Sequence, residues 1–524
     1  MPNNLNLKQD KITKVLYEHP FSITALLVLV VLIATGMQLG SGAAACAISV
    51  CGYLLIIGYG IFLKQTKKLT PEALIVLIFA LGFVLRLGYV LYTDIATRQN
   101  DAGIFEEGNY NFFHSGYILY IRDHLALPAG DVREMGEYYH PPFHHIVCAA
   151  FLKIYELFLP KGTHNYEALQ ALSLLWANFS VIMLYKDIKL IGIKEESRPI
   201  VAAIISAAPI YTLLSGSVNN DNLSVLLMFT AIYFGLKWYK EGGLKNIVLS
   251  ALATGFGMMT KLAVGLIAFS LGFLFIVKLV KDIRAKKEGL KTFLNLVVFG
   301  VISVPLGLWF EIRNFLRYGV PITYVLMSEN VYQDVSRFTP VQRIFGFYGF
   351  PIEDYYINLG SDGTQDYNIF ITLIKTGLFG EENCRDDFTM SITGYILLIL
   401  FLALIAVAAA GMIYTVLTLK KRDSFWEDIS MVIMGVSQVV SLVMFALKYP
   451  HICSIHFRFT MPLALCGAVF FARISEIKLK GSNKDLITKI TRILAVAFFV
   501  LAIVFYTILW TYVKGEVTVV DVTW

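Results

Sequence analysis

Apolar residues in this chain rarely alternate with polar ones; they run on for about 20 positions, stop at a polar or basic cluster, and begin again. A run of that length crosses the hydrocarbon of a bilayer as a helix. Where no water reaches the backbone, long runs favour helices over a barrel. About 13 spans are predicted, at 21–38, 44–63, 73–93, 168–186, 199–215, 223–240, 246–260, 262–280, 292–310, 391–418, 428–447, 460–474 and 491–512. The polar breaks set the topology, because basic loops mark the cytoplasmic side. With this count the clusters Lys8/Lys11/Lys14, Lys64/Lys67/Lys68, Lys186 to Arg198, Lys237 to Lys245, Lys278 to Lys291, Lys420 to Arg422 and Lys478 to Arg492 share one face. Pro142 to Leu159 is left out, since a crossing there would move every later cluster to the other side. It is expected to lie along the outer interface, where Phe143, Phe151, Tyr155 and Phe158 suit the boundary.

The expected fold is therefore an all-α integral membrane protein with large external loops that carry interfacial helices. Residues 1–70 form a cytoplasmic tail and a transmembrane hairpin added to an eleven-helix core. Residues 71–475 form the membrane core, with external loops 94–167 and 311–390 and shorter external segments at 216–222 and 448–459. Residues 476–524 supply a cytoplasmic linker, the last span and a short external tail. Composition agrees: 57% of residues are hydrophobic and 16% charged, with mean hydropathy +0.65, whereas soluble domains carry about 25% charge. The net charge of +6 reads as an orientation signal, with no nucleic-acid partner expected. Cysteines 46, 51, 148, 384, 453 and 466 form neither a metal-ligand spacing nor a disulfide framework. Cys384 and Cys453 fall in loops on the same side, which leaves one bridge open.

Candidate chemistry concentrates in the loop 94–167. Asp101, in Arg98-Gln99-Asn100-Asp101, follows a span closely enough to stand at the membrane surface, where a carboxylate serves as a general base or caps a helix. Asp94, at the span end itself, reads as an anchor or cap. Tyr139-His140-Pro141-Pro142 is stiff, because the prolines fix φ and push His140 toward an extended conformation. It holds a side chain at fixed height, to touch substrate or only solvent. His140 and His144 are four apart, yet the prolines break the helix that a shared metal would need. No cofactor is called for, and a divalent metal is the less favoured alternative. Asn220 and Asp221 sit in a turn so brief that the acid must lie at the surface, as a cap, a functional group or both. Lys261, Arg313 and Arg458 are conspicuous as cations outside; all three suit an anionic phosphate, the alternative being snorkelling for Lys261 and an ion pair with Glu311 or another acid for each arginine.

Taken together these residues resemble the C-type glycosyltransferases, most closely the bacterial family related to protein O-mannosyltransferases and the lipid A aminoarabinose transferase. The resemblance runs over about residues 73–475. It implies that Asp101 is the catalytic aspartate of the first external loop, although relatives often have His where Asn100 stands. It further implies that Arg98, Tyr139, His140, Asn220 and Asp221 contact substrate. Lys261, Arg313 and Arg458 would approach the donor phosphate, with Phe459 replacing a tyrosine of the family's Arg-Tyr motif. The implied donor is a polyprenyl-phosphate-linked sugar; the acceptor is a lipid, glycan or protein; membrane lipids are the other partners. The implied chemistry is inverting transfer of a hexose or pentose on the external face of the plasma membrane, with the N-terminus cytoplasmic. Loop 311–390, rich in Tyr, Phe and Asp, is expected to close over the sugar. A transporter or flippase of polyprenyl-linked sugars is the alternative from another class, but the sequence offers no clear inverted repeat or broken helix. A glycan polymerase is another. An oligosaccharyltransferase fits less well, since its Trp-Trp-Asp motif is absent.

Overall fold

A computed structural model describes residues 10–95, 103–110, 113–286, 288–326, 333–346, 356–357, 366–380, 388–419, 422–477 and 483–512. Among them every regular element is a helix, and the one β feature is an isolated bridge between Asp334 and His451. Eight helices are long and apolar enough to cross a membrane: Gly42–Gln65, Pro71–Tyr92, Tyr166–Ile191, Leu262–Arg284, Gly289–Tyr318, Phe388–Thr418, Phe425–Lys448 and Leu486–Leu509. Three bent pairs raise the number to at most 11. This is a multi-pass membrane protein.

The difference from the thirteen expected spans falls on two helices that do form. Asn220–Glu241 opens on Asn220-Asp221-Asn222 and closes on lysines, while Leu244–Met258 has only 15 residues. The bent pairs are a second departure, since hydropathy along the chain carries no clear sign of broken helices. Lys11–Glu18 meets Pro20–Thr35 at 96°, Glu195–Ser206 meets Pro209–Gly216 at 45°, and Ile452–Thr460 meets Pro462–Ser475 at 55°. Each second member begins with a proline in its first turn, where the missing N–H is harmless but continuation of the preceding helix is blocked.

The segment expected at the interface is a helix at Phe143–Glu156. Its 14 residues reach about 21 Å, short of the roughly 30 Å of hydrocarbon. His144, His145, Cys148, Ala149 and Leu152 face inward, whereas Leu157 and Phe158 are each 80% exposed. Two further short helices, Phe113–His124 and Ile369–Phe379, lie within loops 94–167 and 311–390, which were expected to carry interfacial helices without these positions being assigned.

One hairpin sets the level of the site. Asn220–Glu241 and Leu244–Met258 are joined by Gly242 and Gly243, whose φ values of 72° and 88° are ones that a side chain resists. The tight reversal packs Leu244–Met258 back along its partner, with Ser250 Oγ donating to the Ala231 carbonyl at 2.9 Å. Lys261 consequently returns to the level of Asp221. At the opposite end of these helices Lys240 pairs with Glu427 at 3.0 Å and Arg473 with Asp428 at 2.7 Å.

Candidate functional site: an ion-paired centre beside a histidine cluster

The loop 94–167 is closed by one guanidinium. Arg122, 3% exposed, donates to Glu107 at 2.7 Å, Asp123 at 2.6 Å, Glu156 at 3.2 Å and the Tyr166 hydroxyl at 3.1 Å. These partners lie before the helix Phe113–His124, within it, at the end of the next helix and in the turn beyond. The stitched loop presents the turn Gly136–Tyr139 and then His140 in an extended conformation (φ −70°, ψ 141°) ahead of the two prolines. The Phe143 N–H donates to the Met259 carbonyl at 3.0 Å, so the Pro-Pro segment is moored directly to the residues that precede Lys261.

Two groups of polar side chains meet there. In the first, Asp221 lies 1% exposed between two cations: Lys261 Nζ contacts Oδ1, and Arg458 Nη1 lies 3.3 Å from Oδ2. Both cations also face the Phe459 ring, at 4.6 Å and 5.0 Å from its centroid. The Phe459 ring, which has no hydroxyl to offer, presents its π face to the two charges. Asn220 Nδ2 donates to the Thr260 carbonyl at 3.3 Å, and His456 Nδ1 accepts the Arg458 N–H at 3.2 Å. Asp221 does not cap its helix; Asn219 does, accepting the Asp221 N–H at 3.1 Å. The carboxylate is left free to bind the cations.

The second group holds His114, Glu137, His140, His144 and His145. Glu137 Oε2 and His140 Nε2 are 2.9 Å apart, His114 Nδ1 and His145 Nε2 are 2.9 Å apart, and the His114 and His140 rings stack at 5.4 Å. His144 turns instead toward the Cys148 thiol, 3.6 Å from its Nε2. Burial, reinforced by the neighbouring imidazoles and by Lys261, holds His114 neutral, its pKa well below the ordinary value. Burial pushes Glu137 up, but the His140 hydrogen bond and charge, with Tyr139 and Arg458, outweigh it and keep the carboxyl below its usual range. Burial likewise lowers His456, Arg458 adding to the effect. Lys261 acts on His114, Arg458 on Glu137 and Asp221 on His144, so the two groups share one electrostatic field.

The structure therefore brings together Tyr139, His140, Asn220, Asp221, Lys261 and Arg458. Arg313 bonds elsewhere, to Asn314 Oδ1 at 3.0 Å and the Pro128 carbonyl at 2.9 Å. Arg98, Asn100 and Asp101 lie outside the described residues, as does Cys384. The sequence reading passed over His114, Glu137, His145 and His456. Glu137 stands three residues before His140 and could have been noticed; His114, amid aromatics, carries no local signal that sets it apart.

A family model described as dolichyl-phosphate-mannose-protein mannosyltransferase matches residues 139–309. That stretch is about a third of the chain and runs from Tyr139 through Asp221 and Lys261. No curated protein matches the sequence. Among solved structures the chain is similar to ArnT from Cupriavidus metallidurans in the apo state, at 12% identity and TM-score 0.47, covering 83% of this chain and 76% of that one. The same protein bound to undecaprenyl phosphate matches at 13% identity and TM-score 0.47, with the same coverage of 83% and 76%. The oligosaccharyltransferase AglB from Archaeoglobus fulgidus, in complex with an inhibitory peptide and a dolichol-phosphate, matches at 12% identity and TM-score 0.43 over 84% of this chain. The match spans 56% of AglB.

Proposed function

We propose that this protein is a C-type glycosyltransferase that moves a sugar from a polyprenyl-phosphate-linked donor to an acceptor hydroxyl, with inversion, on the external face of the plasma membrane. The observation that carries the reading is the buried Asp221 bridging Lys261 and Arg458; Asp221, Lys261 and His140-Pro141-Pro142 all fall within the segment that the mannosyltransferase model matches. Two fixed cations at the end of a bundle of apolar helices suit a phosphate whose lipid tail lies between helices. Such preorganised charge acts most strongly where a leaving group gains charge in a site that excludes water.

In the reaction the acceptor oxygen forms a bond to the anomeric carbon while the bond from that carbon to the phosphate oxygen breaks. The electron pair leaves with polyprenyl phosphate, and Asp101 takes the hydroxyl proton. Lys261 and Arg458 neutralise the phosphate, while Arg313, bound to the Pro128 carbonyl, is left out of that task; Arg98, Tyr139, His140 and Asn220 hold the sugar and the acceptor. Asp221 sets the positions of the two cations and fills their coordination until donor arrives. Basic clusters on the opposite face support a cytoplasmic N-terminus.

The test uses purified protein in lipid with radiolabelled polyprenyl-phosphate sugars, comparing the natural protein with Asp101→Asn. Release of free polyprenyl phosphate by the natural protein alone is the expected result. Equal release by both sinks Asp101 as the base. No release with any donor, together with movement of the sugar-lipid across the bilayer, replaces the transferase by the transporter, a reading that the three bent helix pairs favour.

A further inference from the structure

The histidine cluster is more than the phosphate-binding task requires. Among the described residues His114, Glu137 and His140 each offer one ligand atom, and the three atoms lie within 4.8 Å of one another. Nitrogen and oxygen ligands at about 2.1 Å from one zinc ion stand about 3.4 Å apart in a tetrahedron, so modest side-chain rotation closes the set. The Glu137–His140 pair already stands at 2.9 Å. We propose that His114, Glu137 and His140 hold one divalent transition-metal ion of the zinc class beside the Asp221–Lys261–Arg458 centre, leaving a fourth position for water or an oxygen of the sugar-phosphate donor.

Four observations carry this. The donor set is two imidazoles and one carboxylate, a set that recurs in zinc sites which keep an open position. Glu137 and His140 belong to one tight turn, closed by the His140 N–H to the Glu137 carbonyl at 3.1 Å, so both side chains are presented together. The prolines that follow fix His140 against the Met259–Lys261 segment. Finally, the His114 Nδ1···His145 Nε2 contact at 2.9 Å anchors the His114 ring through one nitrogen and leaves the other for a metal. A ligating histidine is ordinarily oriented through its second nitrogen in this way.

Charge also favours the assignment. With the imidazoles deprotonated, as metal ligation requires, the carboxylates of Glu137 and Asp221 balance Lys261 and Arg458. A divalent ion adds two positive charges, which an arriving phosphate offsets. Metal and phosphate should therefore tighten each other's binding, reciprocally. This coupling rests on the transferase reading; the metal site itself does not.

The experiment uses full-length protein in nanodiscs, treated with chelator and then titrated with Co²⁺ and Zn²⁺ in the absence of any donor. Bound metal is measured by elemental analysis and by the ligand-field absorption of cobalt. One ion per chain is expected, with affinity falling at least tenfold in His114→Ala, Glu137→Gln and His140→Ala. His164→Ala should bind as the natural protein does; His164 also lies between acids, Glu156 at 2.9 Å and Glu107 at 3.6 Å, and so controls for adventitious capture. Glu137→Gln is nearly isosteric and His140 is half-buried, so these two variants carry the test if His114→Ala does not fold. No stoichiometric ion in the natural protein, or binding unchanged in all three variants, overturns the site. A second titration adds undecaprenyl phosphate. Tightening of the metal that Lys261→Met abolishes supports the donor contact. Metal held by these ligands but indifferent to undecaprenyl phosphate overturns that contact and leaves the metal site standing. Undiminished donor turnover by metal-stripped protein overturns the metal–donor contact and leaves both the transferase and the metal site standing.

Discussion

Replacing Asp221 by asparagine removes one negative charge from between two positive ones and changes little else. The Arg458–Asp221 contact at 3.3 Å is worth about 5 kcal/mol of attraction at an effective dielectric of 20. Most of that attraction offsets the cost of drying the two ions, which is several kcal/mol each. Withdrawing one partner from a buried pair nevertheless costs about 3–5 kcal/mol, because the other charge stays dry and unanswered. The side chains of Asp221 and Arg458 are 2% and 6% exposed, and that of Lys261 is 16% exposed. Asparagine keeps one oxygen for a hydrogen bond, so a loss of about 3 kcal/mol is expected. The assay is denaturant unfolding in detergent micelles, with Lys261→Met and the double variant completing a cycle. Removing the lysine as well relieves part of the uncompensated charge, so the double variant should be more stable than the sum of the singles predicts, by about 1–2 kcal/mol. An Asp221→Asn protein that unfolds within about 0.5 kcal/mol of the natural one refutes the argument, as does strict additivity in the cycle.

Three further outcomes are expected. Arg458→Lys keeps the charge but loses the planar fork, and should weaken undecaprenyl phosphate binding about tenfold, measured by scintillation proximity; unchanged affinity refutes a phosphate role. Arg122→Met should destabilise the loop 94–167 by about 2–3 kcal/mol, discounted because its acid partners are partly exposed. The acid side of that effect has a definite sign. Burial pushes Asp123 up, but the Arg122 hydrogen bond and charge, with the Tyr110 hydroxyl, hold it below the ordinary carboxylate range. Its contribution is thus complete above about pH 4 and lost as the pH falls through the lowered value, so the difference between Arg122→Met and the natural protein should be flat from about pH 8 to 5 and shrink below 4. At the far end of the bundle, Arg473→Met should cost about 3–5 kcal/mol of stability by stranding Asp428, while leaving phosphate affinity in the surviving folded protein unchanged; a parallel loss of affinity refutes the separation of the two ends.

Long apolar runs made the helices legible in the sequence, because in lipid the backbone has one economical way to satisfy itself. The breaks were harder to see. Pro209 stands in an apolar stretch where hydropathy is blind to a missing N–H, and Pro20 and Pro462 stand at the edges of expected spans, so three bends escaped notice. Asp221, Lys261 and Arg458 were each found because a charge is conspicuous in such surroundings, and the structure joins them as a mutual arrangement that one-dimensional spacing does not express. Arg313 looked equivalent by the same logic, yet it serves the Pro128 carbonyl. The histidine cluster was largely hidden, since His114 and His140 are 26 positions apart and only the fold of loop 94–167 brings them face to face.

The pairing of Asp221 with Lys261 also bears on how the chain is made. Synthesis delivers these residues 40 positions apart on one helical hairpin, long before Arg458 emerges. A nascent hairpin carrying a lone acid at its open end would sit in the bilayer against a steep penalty; with the lysine brought back beside it by the Gly242-Gly243 reversal, that end is nearly neutral. Arg458 then arrives as a late addition to an already stable pair. A lesion in the C-terminal quarter should accordingly leave the hairpin inserted and the centre half built, whereas loss of Lys261 should show itself at insertion.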